Sequence, residues 1–382
     1  MSQPVFGDCF AELDDPRVDR TKRYPLIEVV TIALCSVICG GEGWEDMEEF
    51  GRSKETWLRE RLGLELANGI PGDDTYRRVF RRLDPEQFAQ CLARWIRTFQ
   101  GEAAGEIIAL DGKTLRHSFD TATGQAAIHL VNAWATQSGL ALGQVKVDGK
   151  SNEITALPGL LRLLALAGCV VTADAMGCQK KIAQQIIEAK ADYVLALKGN
   201  QGSLHEDVRE CFEDAIANDF YQKDPDRLIV HSYHRTVEKD HGRIEERQYW
   251  AMEGKAIAWL LERHDWVGLR SICAVKRTRT VGEQVTSETR YFISSLEGGA
   301  AKLVQPIRSH WRIENSLHWV LDVSMGEDAC RIWQDHAPEN MATLRRTAVS
   351  LLKQERSNPR GIKARSKKAC LDDDYRLKVL VG

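Results

Sequence analysis

The sequence lacks the cysteine patterns that mark a zinc finger or a disulfide framework. Its ten cysteines are scattered, and no two of them form a CxxC pair. The two nearest, Cys35 and Cys39, lie in an apolar run, where buried thiols are the ordinary outcome. Structural zinc sites and disulfide-rich domains both require regular cysteine spacings. We therefore expect a protein of a reducing compartment that has neither feature.

Segments that direct a chain to a membrane are also missing. The N-terminal stretch MSQPVFGDCF has no charged start followed by an apolar segment, so no signal peptide is predicted. The longest apolar run, residues 29–39, is shorter than the roughly 20 residues that a membrane-spanning helix needs. It ends at Gly40 and Gly41, as a buried helix would. The chain also has no internal repeat and no low-complexity block. These absences predict a cytoplasmic protein with no membrane partner.

Neither sign of charge dominates the chain. Its formal net charge is -3 at pH 7, so composition does not indicate a nucleic-acid partner, and any DNA-binding surface must be local. Hydrophobic residues make up 43% and charged residues 28% of the chain, which is typical of a globular protein with a substantial core. A length of 382 residues suggests two or three domains.

Hydrophobic periodicity divides the chain into helical and strand-forming parts. Up to about residue 105 the spacing is helical, and residues 69–84 comprise a Pro-Gly turn followed by a basic helix that has Asp73 or Asp74 as its N-cap. From residue 106 a strand, a hairpin, a helix, a strand, a helix and a strand predict a mixed sheet with covering helices. The fold class is therefore α/β. The predicted segments are a helical domain 1–105, a core 106–202, a β-rich insertion 203–295, the second part of the core 296–352 and a basic tail 353–382.

Two stretches concentrate basic residues. The basic helix within residues 69–84 places four arginines on one side, namely Arg77, Arg78, Arg81 and Arg82. The tail over 353–369 has seven lysines and arginines against one acid, Glu355. Two interpretations stay open for each stretch. The arginines form either a solvated face or a surface that contacts DNA phosphates, and the tail is either flexible or a phosphate contact.

The stretch SHWRIENSLHWVLDVSMGED, residues 309–328, carries four potential metal ligands at intervals of four residues: His310, Glu314, His318 and Asp322. On a regular helix these positions spiral away from the apolar face, which is formed by Ile313, Leu317, Val320 and Leu321. His318 and Asp322 should therefore point outward, where they can pair with each other. A metal site within this helix alone is not expected. Glu314 lies at the edge of the apolar face and is the candidate for a site shared with other elements.

Two further acids follow short apolar strands. Asp111 follows IIAL, and Asp174 follows VVTA. A carboxylate at the end of a strand projects into the cleft where α/β proteins place their chemistry. Together with Glu314 the two aspartates would form a three-carboxylate site, whose hard oxygen ligands suit two Mg²⁺ or Mn²⁺ ions and thus the cleavage of a phosphodiester. The alternative is that each aspartate only caps the turn that follows it.

Several stretches resemble the DDE-type insertion-sequence transposases, and in particular their H-repeat-associated branch. They are DGKTLRHS from Asp111, KSNEITALPGLL from Lys150, VTADAMGCQKKIA from Val171, DYVLALKGNQ from Asp192 and HWRIENSLHWVLDVSMGED from His310. FAELDDPRVDRTKRYPL from Phe10 and GIPGDDTYRRVFRRLD from Gly69 resemble the helical domain associated with that branch. Linked motifs in the right order over nearly the whole chain make this resemblance specific.

The resemblance implies an RNase H-like catalytic core that is interrupted by a β-rich insertion and preceded by an α-helical domain. It implies that Asp111, Asp174 and Glu314 are the catalytic, metal-binding triad, with two Mg²⁺ or Mn²⁺ ions as cofactors. The implied reaction is cleavage of double-stranded DNA at transposon ends, followed by transfer of the 3′-hydroxyl ends to target DNA. A homodimer on DNA, at the bacterial nucleoid, is implied as well. Related transposases often surround the glutamate with a Y-x2-R-x3-E-x6-K pattern, but here those offsets hold Ile307, His310 and Leu321.

Residues near the three acids are candidates for DNA contact. Besides the four arginines of the basic helix, they are Lys113, Arg116, Lys198, Asn200, Gln201, His241, Arg243, Arg247, Arg308, His310 and Arg312. Asn200 and Gln201 would hold an unpaired end base, and Arg308 or Arg312 would substitute for the missing arginine. Solvent-exposed loop cations and a polar turn are the alternatives. Trp311 and Trp319 are predicted to pack rather than to stack on bases.

Two rival functions stay open. A relic transposase would bind DNA without cleaving it, although the presence of all three acids favours a working site. A metal-dependent nuclease would cleave DNA but would not join a 3′ end to a new strand.

Overall fold

The computed structural model describes residues 6–99, 105–119, 124, 126–147, 152–222, 229–240 and 242–381. Its helices are α1 (Phe6–Cys9), α2 (Leu26–Ile38), α3 (Trp44–Ser53), α4 (Glu55–Leu62), α5 (Asp73–Arg82), α6 (Pro85–Arg97), α7 (Glu153–Arg162), α8 (Lys180–Glu188), α9 (Gly202–Ala217), α10 (Ala258–His264), α11 (Gly299–His310), α12 (Trp319–Met325), α13 (Ala337–Gln354), α14 (Ile362–Leu371) and α15 (Asp373–Val381). Its strands are β1 (Ile107–Thr114), β2 (His129–Ala135), β3 (Leu140–Val147), β4 (Val170–Ala173), β5 (Asp192–Leu197), β6 (Ser232–Asp240), β7 (Arg243–Glu253), β8 (Ser271–Val281) and β9 (Gln284–Ser294).

The fold is mixed α/β with one large sheet, in the strand order β3-β2-β1-β4-β5-β9-β8-β7-β6. The chain divides into two compact units, and β1 contributes to both. We call residues 103–111 and 165–311 the strand unit, and residues 1–102, 112–164 and 312–382 the helical unit. Neither unit follows a single predicted segment, because each is assembled from pieces that are distant in the sequence.

In the strand unit, three parallel strands are extended by four antiparallel ones. β4 pairs in parallel with both β1 and β5, whereas β9 pairs antiparallel with β5 and leads on to β8, β7 and β6. The strands of the predicted β-rich insertion therefore continue the sheet instead of forming a separate one. Helix α11 packs against β6 and β7, where Leu303 and Ile307 join Tyr249 and Phe292 in one apolar cluster. This packing places the end of α11 close to β4.

In the helical unit, two apolar helices form the centre. Helix α2 is buried from Glu28 to Ile38, and α13 is buried over nearly its whole length. Helices α6, α7 and α13 pack on β3, the second strand of the antiparallel β2–β3 hairpin. That hairpin turns at Gly139, whose φ of 73° lies in the left-handed region that glycine adopts without strain.

The structure corrects three local predictions. The N-cap of α5 is Gly72, so Asp73 and Asp74 are the first helical residues. The C-terminal tail is not flexible, because it forms α14 and α15, and Tyr375 and Val379 are buried. The strand that carries Asp111 continues to Thr114. Among the described helices, none has the length and apolar character needed to cross a membrane.

Candidate functional site

Two aspartates lie on neighbouring parallel strands of the strand unit. The parallel register pairs Leu110 of β1 with Ala173 of β4, and Asp111 and Asp174 are the residues that follow each of these partners. Adjacent strands are about 4.8 Å apart, so the register brings the two carboxyl-bearing residues to the same edge of the sheet. Both residues are half-buried. Asp111 is not at the end of its strand, but it stands where the pairing with β4 stops.

Asp174 also organises the loop that follows it. Its Oδ1 atom accepts hydrogen bonds from the backbone N–H groups of Met176, at 2.9 Å, and Gly177, at 3.3 Å. Asp174 therefore caps the turn that follows it, as the alternative interpretation predicted. Because only one carboxylate oxygen is involved in these two bonds, turn capping and metal binding are compatible at this residue.

The side chains of Asn200 and Gln201 hold the same loop. Asn200 Nδ2 donates to the carbonyl of Ala175 at 2.6 Å, and Gln201 Nε2 donates to the carbonyl of Cys178 at 2.8 Å. Both side-chain amides therefore form hydrogen bonds with the backbone of the loop that follows Asp174. Their predicted contact with an unpaired base stays a prediction.

His310 lies beneath the sheet, on the last turn of α11. Its Nδ1 is 3.3 Å from Thr172 Oγ1, on the strand that leads to Asp174. Burial lowers the pKa of His310 to about 4, although the charge of Asp174 acts to raise it. The imidazole is therefore neutral near pH 7 and packs against β4, which does not favour its predicted contact with DNA phosphate.

Glu314 begins a π-helical turn, Glu314–His318, in the helical unit. Its side chain is exposed, and Leu317 and His318 are both buried. The prediction that His318 points outward is wrong, because a π turn holds more residues than an α turn and rotates every later position around the axis. Trp319 is 57% exposed and Trp311 46% exposed, so the prediction that they pack is also wrong. Arg290 lies over the Trp311 ring at 4.6 Å.

Lys113 is the centre of a buried ion-pair network in the helical unit. It is 8% exposed, and its Nζ lies 2.6 Å from Asp322 Oδ1 and 3.7 Å from Asp328 Oδ1. Glu327 is 2.7 Å from Arg346 in the same network. The predicted pairing of Asp322 with His318 is therefore replaced by pairing with Lys113. Burial raises the pKa of Asp322, and Lys113 opposes that shift. This placement does not favour the predicted contact of Lys113 with DNA phosphate.

A second polar cluster in the helical unit was missed from the sequence. His129 Nε2 is 2.7 Å from Glu153 Oε1, and His129 Nδ1 is 2.9 Å from Thr114 Oγ1. A Cβ atom added to Gly112 would lie 2.1 Å from Glu153 Oε1, so a glycine is required for this close approach. Glu153 belongs to the KSNEITALPGLL motif, which could have marked it as a candidate. Sequence spacing, however, does not show that Glu153 lies close to Gly112.

Most of the predicted DNA-binding cations pair with acids. In the helical unit, Arg77 pairs with Asp73 and Asp74, Arg78 with Asp74, Arg81 with Asp335 and Arg116 with Asp328. In the strand unit, Arg243 and Arg247 pair with Glu245, and Arg247 and Arg308 pair with Glu238. Arg82, Lys198 and Arg312 are exposed. His241 lies outside the described residues. The predicted contacts of these cations with DNA stay predictions.

The donor set at the sheet edge fits a hard divalent cation. Two carboxylates on adjacent strands supply the oxygen ligands that Mg²⁺ and Mn²⁺ prefer. Within the described ranges no three His, Cys, Asp or Glu side chains form a group that holds a metal ion. Asp111 and Asp174 are therefore a pair of donors in the strand unit, and Glu314 is an exposed carboxylate in the helical unit.

Comparison with known families defines the class of this protein. The family described as "Transposase DDE domain" matches residues 102–351, and a DDE_Tnp_1-associated region matches residues 7–96. The chain belongs to the DDE transposase family.

The similar proteins place the chain more narrowly. It is 38% identical over 365 residues to "H repeat-associated putative transposase YhhI" of Escherichia coli strain K12, which covers 94% of this chain and 93% of that protein. It is 38% identical to "Putative transposase YncI" of Escherichia coli O157:H7, over 100% of this chain and 96% of that protein. The resemblance to the H-repeat-associated branch is thus confirmed. A piggyBac transposase solved as a synaptic complex with hairpin DNA is similar over 98% of this chain and 76% of that one, with 9% identity and a TM-score of 0.42.

Proposed function

We propose that the chain is a DNA transposase that cleaves phosphodiester bonds at the ends of an insertion sequence and joins the 3′-hydroxyl ends to target DNA. The observation that carries this proposal is the parallel register of β1 and β4, which brings Asp111 and Asp174 to one sheet edge within the matched DDE domain. The strand order β3-β2-β1-β4-β5 supports the finer proposal of an RNase H-like core, with a hairpin beside three parallel strands.

Asp111, Asp174 and Glu314 would hold two Mg²⁺ or Mn²⁺ ions. Such ions, when bound, activate the attacking oxygen and stabilise the leaving oxygen of a phosphodiester. Asp174 keeps one oxygen on the loop backbone, which orients its carboxylate. Neutral His310 fills the space below β4 without adding a positive charge beside Asp174.

Glu314 enters the proposal from its motif and from chain connectivity. It follows His310 by four residues, and His310 is fixed against Thr172 on β4. The carboxylate of Glu314 is exposed, so an ion can reach it from solvent.

The proposed partners are double-stranded DNA, as terminal repeats and as target, and a second copy of the chain. Two transposon ends require two sites, which is the reason for the proposed homodimer. Arg82, Lys198 and Arg312 are exposed and, among the residues that the structure describes, form no ion pair, so they are proposed as DNA contacts.

The first test is cleavage and joining of a labelled duplex that carries the inverted repeats flanking the gene, with Mg²⁺ or Mn²⁺. Asp174→Asn and Glu314→Gln should each lower both activities by on the order of a thousandfold or more. An asparagine keeps the oxygen that accepts from Met176 and Gly177, so the loop stays folded while the charge is lost. Asn315→Ala, at the exposed neighbour of Glu314, is the matched control and should keep activity.

The other outcomes separate the rival functions. Salt-sensitive DNA binding without any cleavage would support the relic. Cleavage without joining would support a nuclease. If cleavage survived Glu314→Gln, another acid would be the third ligand.

A further inference from the structure

A basic cleft in the helical unit has no role in the proposed cleavage chemistry. Its volume is about 380 Å³, and it lies between the turn of the β2–β3 hairpin and the end of α13. Four cations line it: Lys353, Arg356, Arg360 and Arg365. Within the described part of the chain, none of the four is in an ion pair with a carboxylate, in contrast to most of the arginines described above. Positive charge is thus gathered here, with the Glu355 carboxylate acting on Arg365 through space but not in a direct ion pair.

Two of the cations are held in place by the protein. Arg365 donates through Nε to the carbonyl of Arg360, at 2.8 Å, and through Nη1 to the carbonyl of Leu352, at 2.7 Å. Lys353 Nζ lies 5.0 Å from the centre of the Trp134 ring. Burial, together with the charge of Arg365, lowers the pKa of Lys353 to about 8. An anion in the cleft would stabilise the protonated lysine that this environment otherwise disfavours.

Two residues that line the cleft also carry buried polar atoms that lack partners within the described residues. Trp134 is 0% and Thr136 8% exposed, and in the described residues neither Trp134 Nε1 nor Thr136 Oγ1 has a hydrogen-bond partner. An indole N–H can only donate, and a hydroxyl can donate. A buried donor without a partner is destabilising. Four cations in one cleft call for an anionic ligand, and the two buried donors would reach its acceptor oxygens only after a shift of their side chains.

We propose that this cleft binds a phosphate group of the DNA backbone. The choice of DNA rests on the proposed function. Arg356 and Arg360 are exposed at the rim, so the cleft is open to a polymer as well as to a free ion. Ser316, in the same π turn as Glu314, also lines the cleft. A DNA strand anchored here would therefore run beside the turn that carries the proposed third ligand.

The test measures the affinity of the full chain for a labelled duplex over a series of salt concentrations. The variant Arg356→Gln with Arg360→Gln removes two rim charges whose side chains hold no other part of the fold. We expect affinity to fall roughly ten- to hundredfold and the slope of log K against log salt to decrease by about one to two. Lys363→Gln with Lys367→Gln removes two exposed charges from the neighbouring helix α14, outside the cleft, and should lower affinity less than about threefold.

A second variant tests the buried donor. Trp134→Phe keeps the aromatic packing and removes the N–H group, so it should weaken the binding of duplex and of inorganic pyrophosphate together. Pyrophosphate binding is measured by calorimetry on the same proteins.

Each remaining outcome is decisive. Equal losses in the cleft and control variants would overturn the proposal, even if the wild type cleaves DNA. If the wild type never cleaves DNA but the cleft variants still bind DNA more weakly than the wild type does, the proposed phosphate site holds and the proposed function fails. If the cleft binds pyrophosphate but not DNA, it is a site for free phosphate and the assignment to DNA is wrong. The assignment is also wrong if the cleft-dependent affinity for RNA is stronger than that for DNA.

Discussion

At the residue scale, burial decides the role of each charged side chain more than its neighbours in the sequence do. Lys113 and Arg116 are three positions apart on the same segment, and both pair with Asp328. Lys113 is almost fully enclosed, whereas the Arg116 side chain is 76% exposed. A buried pair that loses one partner leaves an uncompensated charge, whereas an exposed pair is replaced by water. The two cations should therefore contribute very differently to stability.

Replacing Lys113 by methionine should destabilise the protein by about 3 kcal/mol, because Asp322 and Asp328 lose their buried partner. Arg116→Gln is the matched control and should change stability by less than about 1 kcal/mol. The measurement is the urea midpoint of unfolding of each variant. Similar midpoints for the two variants would show that Lys113 is not the centre of the network.

At the element scale, the C-terminal helices are structural parts of the helical unit. The hydroxyl of Ser366 in α14 donates to the carbonyl of Ile38 at the end of α2, at 2.8 Å. In α15, Arg376 is 0% exposed, and its guanidinium lies 3.9 Å from the centre of the Trp57 ring and 5.6 Å from that of Phe50. The composition of the C-terminal segment suggested a flexible basic tail. In the structure, Arg376 of this segment attaches it to the core.

Arg376→Ala should detach α15 and destabilise the protein by about 2 to 4 kcal/mol, because it removes a buried stem and a cation–π contact. Lys378→Ala, an exposed cation two positions later in the same helix, should have little effect. Thermal unfolding and limited proteolysis of the C-terminus measure both variants. A neutral Arg376→Ala would mean that Tyr375 and Val379 hold the helix without it.

At the scale of the whole molecule, the ten cysteines are free and distributed through the interior. Six are buried, three are partly buried, and Cys370 is exposed. Burial raises the pKa of the Cys35 thiol and raises that of Cys39 to about 12. Since the thiolate is the reactive form, the native fold should suppress the reactivity of most of these groups.

A thiol reagent at pH 8 should therefore modify one cysteine rapidly in the native protein and all ten in denaturant. Cys370→Ser should remove the rapid phase and leave the slow reaction unchanged. The measurement is the time course of Ellman's reagent, with and without urea. A rapid phase that survives Cys370→Ser would contradict the prediction, and fewer than ten thiols in denaturant would reveal a disulfide.

The sequence predicted well those features that depend on local periodicity. The β2–β3 hairpin and several helices before residue 100 follow from hydrophobic periodicity, because a sheet buries every second residue and a helix one face. The strand before Asp111 was predicted from its apolar run, but it continues beyond that residue to Thr114. The acids after IIAL and VVTA were identified in the same way, and linked motifs identified the family. Local patterns also gave a wrong prediction for His318, which was expected to be exposed. Its spacing does not reveal the π turn, and this turn changes which side chains are buried.

The sequence by itself determined most of the elements before the C-terminal tail, which acids follow apolar strands and which family the chain belongs to, because these depend on residues close together in the chain or on linked motifs. Only the tertiary structure decided that Lys113 meets Asp322, that Glu153 approaches Gly112 and that Lys353 lies over Trp134. Each of these contacts joins residues from elements distant in sequence. Their energies come from burial and desolvation, which are properties of the packed molecule and not of any one segment.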